Sequence, residues 1–173
     1  NIEYGVIKNS LDLDARFNFY WDEKRLYFAI LVVDDIIIDE HKGKEIYLND
    51  CVELYFNPTE KKLHWGDKKN FQLGFSATRS TEKLMCYSWF QDENPVLKDK
   101  VMFVSKKIDS GYIVEASIDW KYLSSYPEEN KEFGFSVAVH DIDDKENKTD
   151  KKINFSFKNI DDKLYLGTMR LIK

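Results

Sequence analysis

The chain has 173 residues, of which 43% are hydrophobic and 15% aromatic, and its formal net charge is −5 with acids and lysines mixed along its length. This is enough for one domain with a sizeable core, and the composition is that of a globular chain rather than a disordered one. No basic stripe points to nucleic acid, no run of ~18 apolar residues to a membrane-spanning helix, and no leader pattern to a signal peptide. The chain opens at Asn1 without a methionine, which reads as a processed product or an excised domain.

Short apolar runs with a period of two follow one another, separated by turn residues. ARFNFYW (15–21) alternates, DEK (22–24) turns, and RLYFAILVV (25–33) is the most apolar run, ending at Asp34-Asp35; the pair predicts a hairpin. DCVELYFN (50–57) ends at Pro58. In a strand it puts Val52, Leu54 and Phe56 on one face and Cys51, Glu53 and Tyr55 on the other. That second face is either plain solvent or the floor of a binding site. NFQLGFSA (70–77) puts Phe71, Leu73 and Phe75 on one face, and KLMCYSWF (83–90) is rich in aromatics. VMFVSKKI (101–108) and GYIVEASIDW (111–120) are joined at Asp109-Ser110-Gly111, a hairpin turn by composition. FGFSVAVHDID (133–143) runs into an acidic, lysine-rich loop, and INFSF (153–157) and LYLGTMRLI (164–172) close the chain. Helical periodicity is weak, with one turn predicted at DWKYLSSY (119–126). The expectation is a single all-β domain over 1–173, an antiparallel β-sandwich of about ten strands with one short helical turn.

Catalytic chemistry finds little support. His41, His64 and His140 form no paired metal spacing, and neither a nucleophile elbow nor a glycine-rich phosphate loop occurs. With 31 acids in the chain, a pair at glycosidase separation would arise by chance and carries no weight. The acidic groups Asp34-Asp35 and Asp141, Asp143, Asp144 suit hard oxygen ligation, so Asp141 and Asp143 are calcium candidates, although no EF-hand spacing is present. Cys51 and Cys86 match no metal spacing; they pair if their strands are neighbours, or remain free thiols.

WDEKRLYFAILVVDD (21–35), NDCVELYFNP (49–58), GYIVEASIDWKYL (111–123), FGFSVAVHDID (133–143) and LYLGTMRLIK (164–173) stand in an order that resembles family 9 carbohydrate-binding modules, over most of the chain. The resemblance implies a β-sandwich with a sugar site, attached to xylanases or other secreted polysaccharide-degrading enzymes, and a relation to haem-binding sandwich domains. It also implies that the carboxylate in the DxVE strand, here Glu53 with Asp50 opening the motif, hydrogen-bonds sugar hydroxyls. Charge-assisted bonds of that kind are about twice as strong as neutral ones. The family clamps sugar between two tryptophans. Tyr47, or else Ile46, stands at the first position, and the loop FKNIDDKLYLG (157–167) at the second holds no tryptophan, leaving Phe157 or Tyr165 as the ring there. Gln72 stands where the family has an arginine. Trp65, in a polar loop, and Trp89 with Phe90, at a strand end, are further stacking candidates; Trp21 and Trp120 read as core. Fewer residues precede the matched region than in the family, so either the domain is excised or its first strand is replaced, and an unfilled sheet edge there would need a cover.

The resulting expectation is a non-catalytic module that takes oligo- or polysaccharide through Tyr47, Asp50, Glu53, Gln72, Trp65, Trp89 and Phe157. It has no certain cofactor beyond the calcium candidates, and it works outside the cell beside other domains of a larger parent protein. The alternative is a structural or interaction sandwich that has lost sugar binding. A haem-binding relative would need Met85 or Met102 paired with a histidine.

Overall fold

The computed structural model describes residues 1–64, 67–82, 85–90, 100–144, 150–156, 158–160 and 163–172. The first strands are β1 (Ile2–Tyr4), β2 (Leu13–Trp21) and β3 (Arg25–Asp34), followed by a 3-10 helix (Gly43–Leu48). Next come β4 (Cys51–Asn57), β5 (Lys62–Leu63), β6 (Phe71–Ser76), β7 (Cys86–Ser88), β8 (Val101–Ile108) and β9 (Gly111–Asp119). β10 (Glu132–Ile142), β11 (Asp150–Asn154), β12 (Lys158–Ile160), β13 (Lys163–Tyr165) and β14 (Gly167–Arg170) complete the order.

Three antiparallel sheets result. The first runs β1-β11-β10-β4-β6-β7, the second β2-β3-β9-β8, and the small third β12-β13-β5. One edge of β10 is shared: β11 lies along Ala138 to Ile142 and β14 along Glu132 to Phe135. The last predicted run is therefore two strands. It breaks at Leu166, whose N–H turns away to Lys61 O at 2.7 Å, so β13 joins the third sheet and β14 the first. The helical turn expected at 119–126 is a hydrogen-bonded turn closed by Tyr122 N–H and Leu123 N–H on Asp119 O, and the short helix lies instead at Gly43–Leu48. At the N-terminal edge the short β1 pairs with β11, a strand in the place of the family's first one.

The period of two sets the core. Leu26, Phe28, Ile30 and Val32 of β3 face Val52, Leu54 and Phe56 of β4, together with Phe71, Leu73 and Phe75 of β6 and the odd residues 133–139 of β10. Each fully buried Leu, Ile or Phe contributes about 2 kcal/mol. Edge-to-face ring pairs bridge the two large sheets: Phe19 with Phe135 at 4.6 Å and Phe28 with Phe75 at 5.3 Å between centroids. Gly111 opens β9 at φ +137, where a Cβ would sit 2.1 Å from Val32 O, so the β8–β9 hairpin can close against β3 only with glycine there.

Cys51 and Cys86 are both free. Cys51 points away from the core beside Glu53, whereas Cys86 sits opposite Phe75 on the core face, so no disulfide can join them without turning a strand over.

Candidate functional site

The outer face of the first sheet is built by register. Ala138, Glu53, Gly74 and Tyr87 stand side by side on β10, β4, β6 and β7. One step along, Lys152 of β11 and His140 of β10 lie next to Cys51; one step the other way, Tyr55 neighbours Gln72. Of the two sequence readings of this face, plain solvent or the floor of a binding site, plain solvent does not describe it. Leu63 and Leu164 of the third sheet, with Leu166, form a second apolar cluster with Phe90 and with Tyr55 and Ala138 of this face, and Glu53 is only 2% exposed.

Burial of a carboxylate demands partners, and Glu53 has them. Its Oε2 accepts the Tyr55 hydroxyl at 2.5 Å and lies 3.0 Å from His140 Nε2 and 3.4 Å from Lys152 Nζ. Its Oε1 accepts Gln72 Nε2 at 3.2 Å. The His140 approach is close without the alignment of a hydrogen bond. Burial alone would raise the Glu53 carboxyl; His140 and Lys152 outweigh it and hold the group well below the usual carboxylate range. Burial pushes the Tyr55 hydroxyl well up, and the neighbouring Glu53 charge pushes it further. Tyr4 of β1 reaches in, its hydroxyl 3.4 Å from His140 Nδ1.

Beside this polar floor stands an aromatic wall. Trp89 lies over Gly74, where a Cβ would come within 2.4 Å of the indole, and its Nε1–H donates to Lys44 O at 3.1 Å. Tyr87 meets it edge-on at 5.4 Å and Tyr47 at 6.4 Å. Ile46 is fully buried under this wall while Tyr47 is exposed, so of the two residues at the first clamp position Tyr47 is the one that presents a ring to solvent.

The structure thus brings Tyr47, Glu53, Gln72 and Trp89 together. Asp50 lies apart: it is fully buried, and its oxygens accept the backbone N–H groups of Ile38 and Ile142. Trp65 and Phe157 lie outside the described residues, and Tyr165 is exposed on β13. His140 and Lys152 were missed as partners of Glu53. Only parity signalled His140, which stands at an outward position in FGFSVAVHDID.

A second polar cluster closes one end of the core. Asp34, Asp50 and Asp141 all occupy inward positions, where β3, β4 and β10 run out of apolar residues. Lys151 Nζ sits among Asp12 at 2.8 Å, Asp141 at 3.1 Å and Asp143 at 2.7 Å. Lys8 Nζ, exposed, lies 3.5 Å from both Asp12 and Asp143, and two ammonium groups still do not neutralise the cluster. Burial pushes Asp50 up to about 9, Asp34 to about 7 and Asp141 to about 6, with mutual repulsion adding to each. Asp34 Oδ2, Asp141 Oδ1 and Asp143 Oδ1 are buried without a hydrogen-bond partner. Carboxylate oxygens of Asp12, Asp35 and Asp143 lie within 4.8 Å of one another, close enough to share a single ion.

The comparisons agree with this architecture. Endo-1,4-beta-xylanase A of Thermotoga neapolitana is 26% identical over 133 residues, and that of Thermotoga maritima 26% identical over 144 residues. The matched parts cover 76% and 81% of this chain but only 11% and 12% of the two xylanases. A family 9 carbohydrate-binding module from Caldicellulosiruptor kristjanssonii, solved in complex with cellotriose, superimposes with a TM-score of 0.71 at 20% identity, covering 99% of this chain and 82% of that one. The same organism's module in complex with glucose gives 0.69 at 19% identity, with 98% and 83% covered. The family model described as carbohydrate family 9 binding domain-like matches residues 1–172, and the chain belongs to that family.

Proposed function

We propose that the chain is a non-catalytic module of a secreted polysaccharide-degrading protein, and that it takes β-linked gluco- or xylo-oligosaccharide at the Tyr47–Trp89 wall. The observation that carries this reading is the wall itself, two rings 6.4 Å apart, one half-buried and one exposed, beside a carboxylate and an amide held in place. The C–H face of a sugar stacks on such rings, and its hydroxyls find acceptors at the polar floor. Glu53 already spends its oxygens on Tyr55, Gln72 and Lys152, so its first task is to fix that floor, and hydroxyls reach it by exchanging with those partners. One stacked ring and a few hydrogen bonds support about −4 to −7 kcal/mol, between millimolar and ten-micromolar affinity.

Affinity electrophoresis and calorimetry with cello- and xylo-oligosaccharides and the insoluble polymers test this. Tyr47→Ala and Trp89→Ala are expected to weaken binding at least tenfold; Tyr47 is exposed, so its variant should keep the fold, while the half-buried Trp89 variant is checked by its melting temperature. Binding unchanged in both variants would overturn the site and move it elsewhere on the chain, and no binding by the wild type to any glycan would favour an interaction sandwich.

The same reading includes a calcium ion at the acidic end of the core. Asp12, Asp35 and Asp143 would hold it, and the orphaned oxygens of Asp34 and Asp141 fit a nearby cation. Bound there, it would supply positive charge that Lys151 alone does not.

A further inference from the structure

The outer face of the second sheet lies on the far side of the core from Glu53, and its side chains form two rows across four strands. Tyr20, Tyr27, Ser117 and Met102 make one row, and Asn18, Ala29, Glu115 and Val104 the next. The small residues Ala29 and Ser117 lie in the middle, so the face is hollowed there into an open trough of about 580 Å³. Its rims are exposed apolar side chains: Tyr20 at 67%, Val104 at 62% and Met102 at 54%. The two tyrosine rings lie 5.8 Å apart, and Tyr27 is pinned by donating its hydroxyl to Asp22 Oδ2 at 2.9 Å. Four strands span roughly 14 Å, the reach of a short oligomer rather than of one ring.

Asn18 and Glu115 distinguish this face from a plain hydrophobic patch. Both are exposed, both sit in the row that crosses the trough, and neither makes a hydrogen bond or ion pair with the described residues. Protein-protein interfaces exclude charge from their centres. A protein seated on this face would have to bury Glu115, whose carboxylate has no ion-pair partner among the described residues. A neutral polyol meets both demands at once, with C–H faces for the rings and hydroxyls that donate to a carboxylate and exchange bonds with an amide. The trough volume also lies within the range of ordinary ligand sites, about 300–1,000 Å³.

We infer that this trough is a second sugar-binding surface, which takes a β-linked oligosaccharide chain across β2, β3, β9 and β8. The class of ligand rests on the reading of the Tyr47–Trp89 site; the surface is separate from it. A chain laid across the strands stacks on Tyr20 and Tyr27 and donates hydroxyls to Asn18 and Glu115. The module is then two-sided, with one site on each sheet.

Amide spectra of the isotope-labelled chain, titrated with cellohexaose and with xylohexaose to millimolar concentration, read the two faces separately. Saturable shifts are expected on residues 18–29 and 102–117. Tyr20→Ala should weaken them about tenfold, and Glu115→Gln by a smaller factor; both positions are exposed, so the fold is expected to survive. Shifts confined to β4, β6 and β7, or shifts that Tyr20→Ala leaves unchanged, would overturn the inference and spare the first site. Shifts confined to the trough would overturn the first site and spare this one. A concentration-dependent dimer abolished by Tyr20→Ala would assign the face to a second copy and overturn the inference as well.

Discussion

Glu53 and Asp50 stand three positions apart at the start of β4, both buried, on opposite faces of the sheet, and their carboxyls move in opposite directions. Glu53 is held below the usual carboxylate range by His140 and Lys152, while Asp50 is driven up to about 9 by burial and by the neighbouring Asp34. Burial is common to both. The sign of the shift is decided by the company: two basic groups around one carboxylate on the outer face, two ammonium groups, Lys151 and the exposed Lys8, among a larger number of carboxylates at the end of the core. The outer cluster is balanced within itself. The inner one is short of positive charge.

That contrast can be broken by substitution. Glu53→Leu leaves Lys152 and His140 buried without their anion and should cost about 3–5 kcal/mol in urea unfolding. Lys151→Met removes the ammonium that Asp12, Asp141 and Asp143 share and should cost about 3 kcal/mol. The two variants should then part company in calcium. Millimolar calcium should restore much of the melting temperature of Lys151→Met, and a chelator should lower it again, because an ion that binds only the folded state stabilises it. Glu53→Leu should respond to neither. A Lys151→Met protein indifferent to calcium would leave the acidic cluster as a purely protonated one.

Titration sharpens the same contrast. The folded value of Glu53 lies below its unfolded value of about 4.3, so its contribution is complete above that range and is lost as pH falls through the folded value. Asp50 runs the other way: with about 9 folded against about 3.9 unfolded, the advantage it gives the folded state fades as pH rises from about 4 towards 9. The Asp50→Asn variant, a neutral near-isostere, should cost about 1 kcal/mol near pH 4, where Asp50 is neutral as well, and should flatten the decline in stability between about pH 4 and 9. Unfolding midpoints of this variant and the wild type, followed from acid to alkaline pH, would show it; parallel curves would mean that Asp50 is ionised throughout. The smallest effect belongs to the thiols. Because Cys51 and Cys86 occupy opposite faces, reductant should leave the melting temperature unchanged and Cys51→Ser or Cys86→Ser should not alter that indifference.

Much of the architecture was legible because strands alternate. The faces assigned to Val52, Leu54 and Phe56, and to Phe71, Leu73 and Phe75, are the core faces in the structure. The β2–β3 and β8–β9 hairpins form from neighbouring runs joined by short polar turns. What the pattern could not reveal was anything made by strands distant in sequence. The burial of Glu53 left no mark in the sequence, because nothing local says that Leu63, Leu164 and Leu166 return to its face. Its partners His140 and Lys152 come from strands far along the chain, and pairing across such distances leaves no periodic trace. The aromatic wall was half visible: Tyr47 stood out by its place before the DxVE motif and Trp89 by its place at a strand end, but their meeting depends on Gly74 leaving room for the indole. The acidic end of the core was read only as loop residues, since Asp34 and Asp141 continue the inward parity of β3 and β10 where an apolar residue would ordinarily stand.

The pairing of β10 also orders events in time. The second sheet is stitched largely from hairpins, whose ends meet after short loops close, whereas β4 must find β10 and β1 must find β11 across most of the chain. Closing long loops is entropically costly and slow. Amides of β2, β3, β8 and β9 are therefore expected to gain protection in pulse-labelled hydrogen exchange before those of β4 and β10. The trough on the hairpin sheet would exist early in folding, and the Glu53 network, which draws on β4, β6, β10 and β11, would be among the last parts of the molecule to assemble.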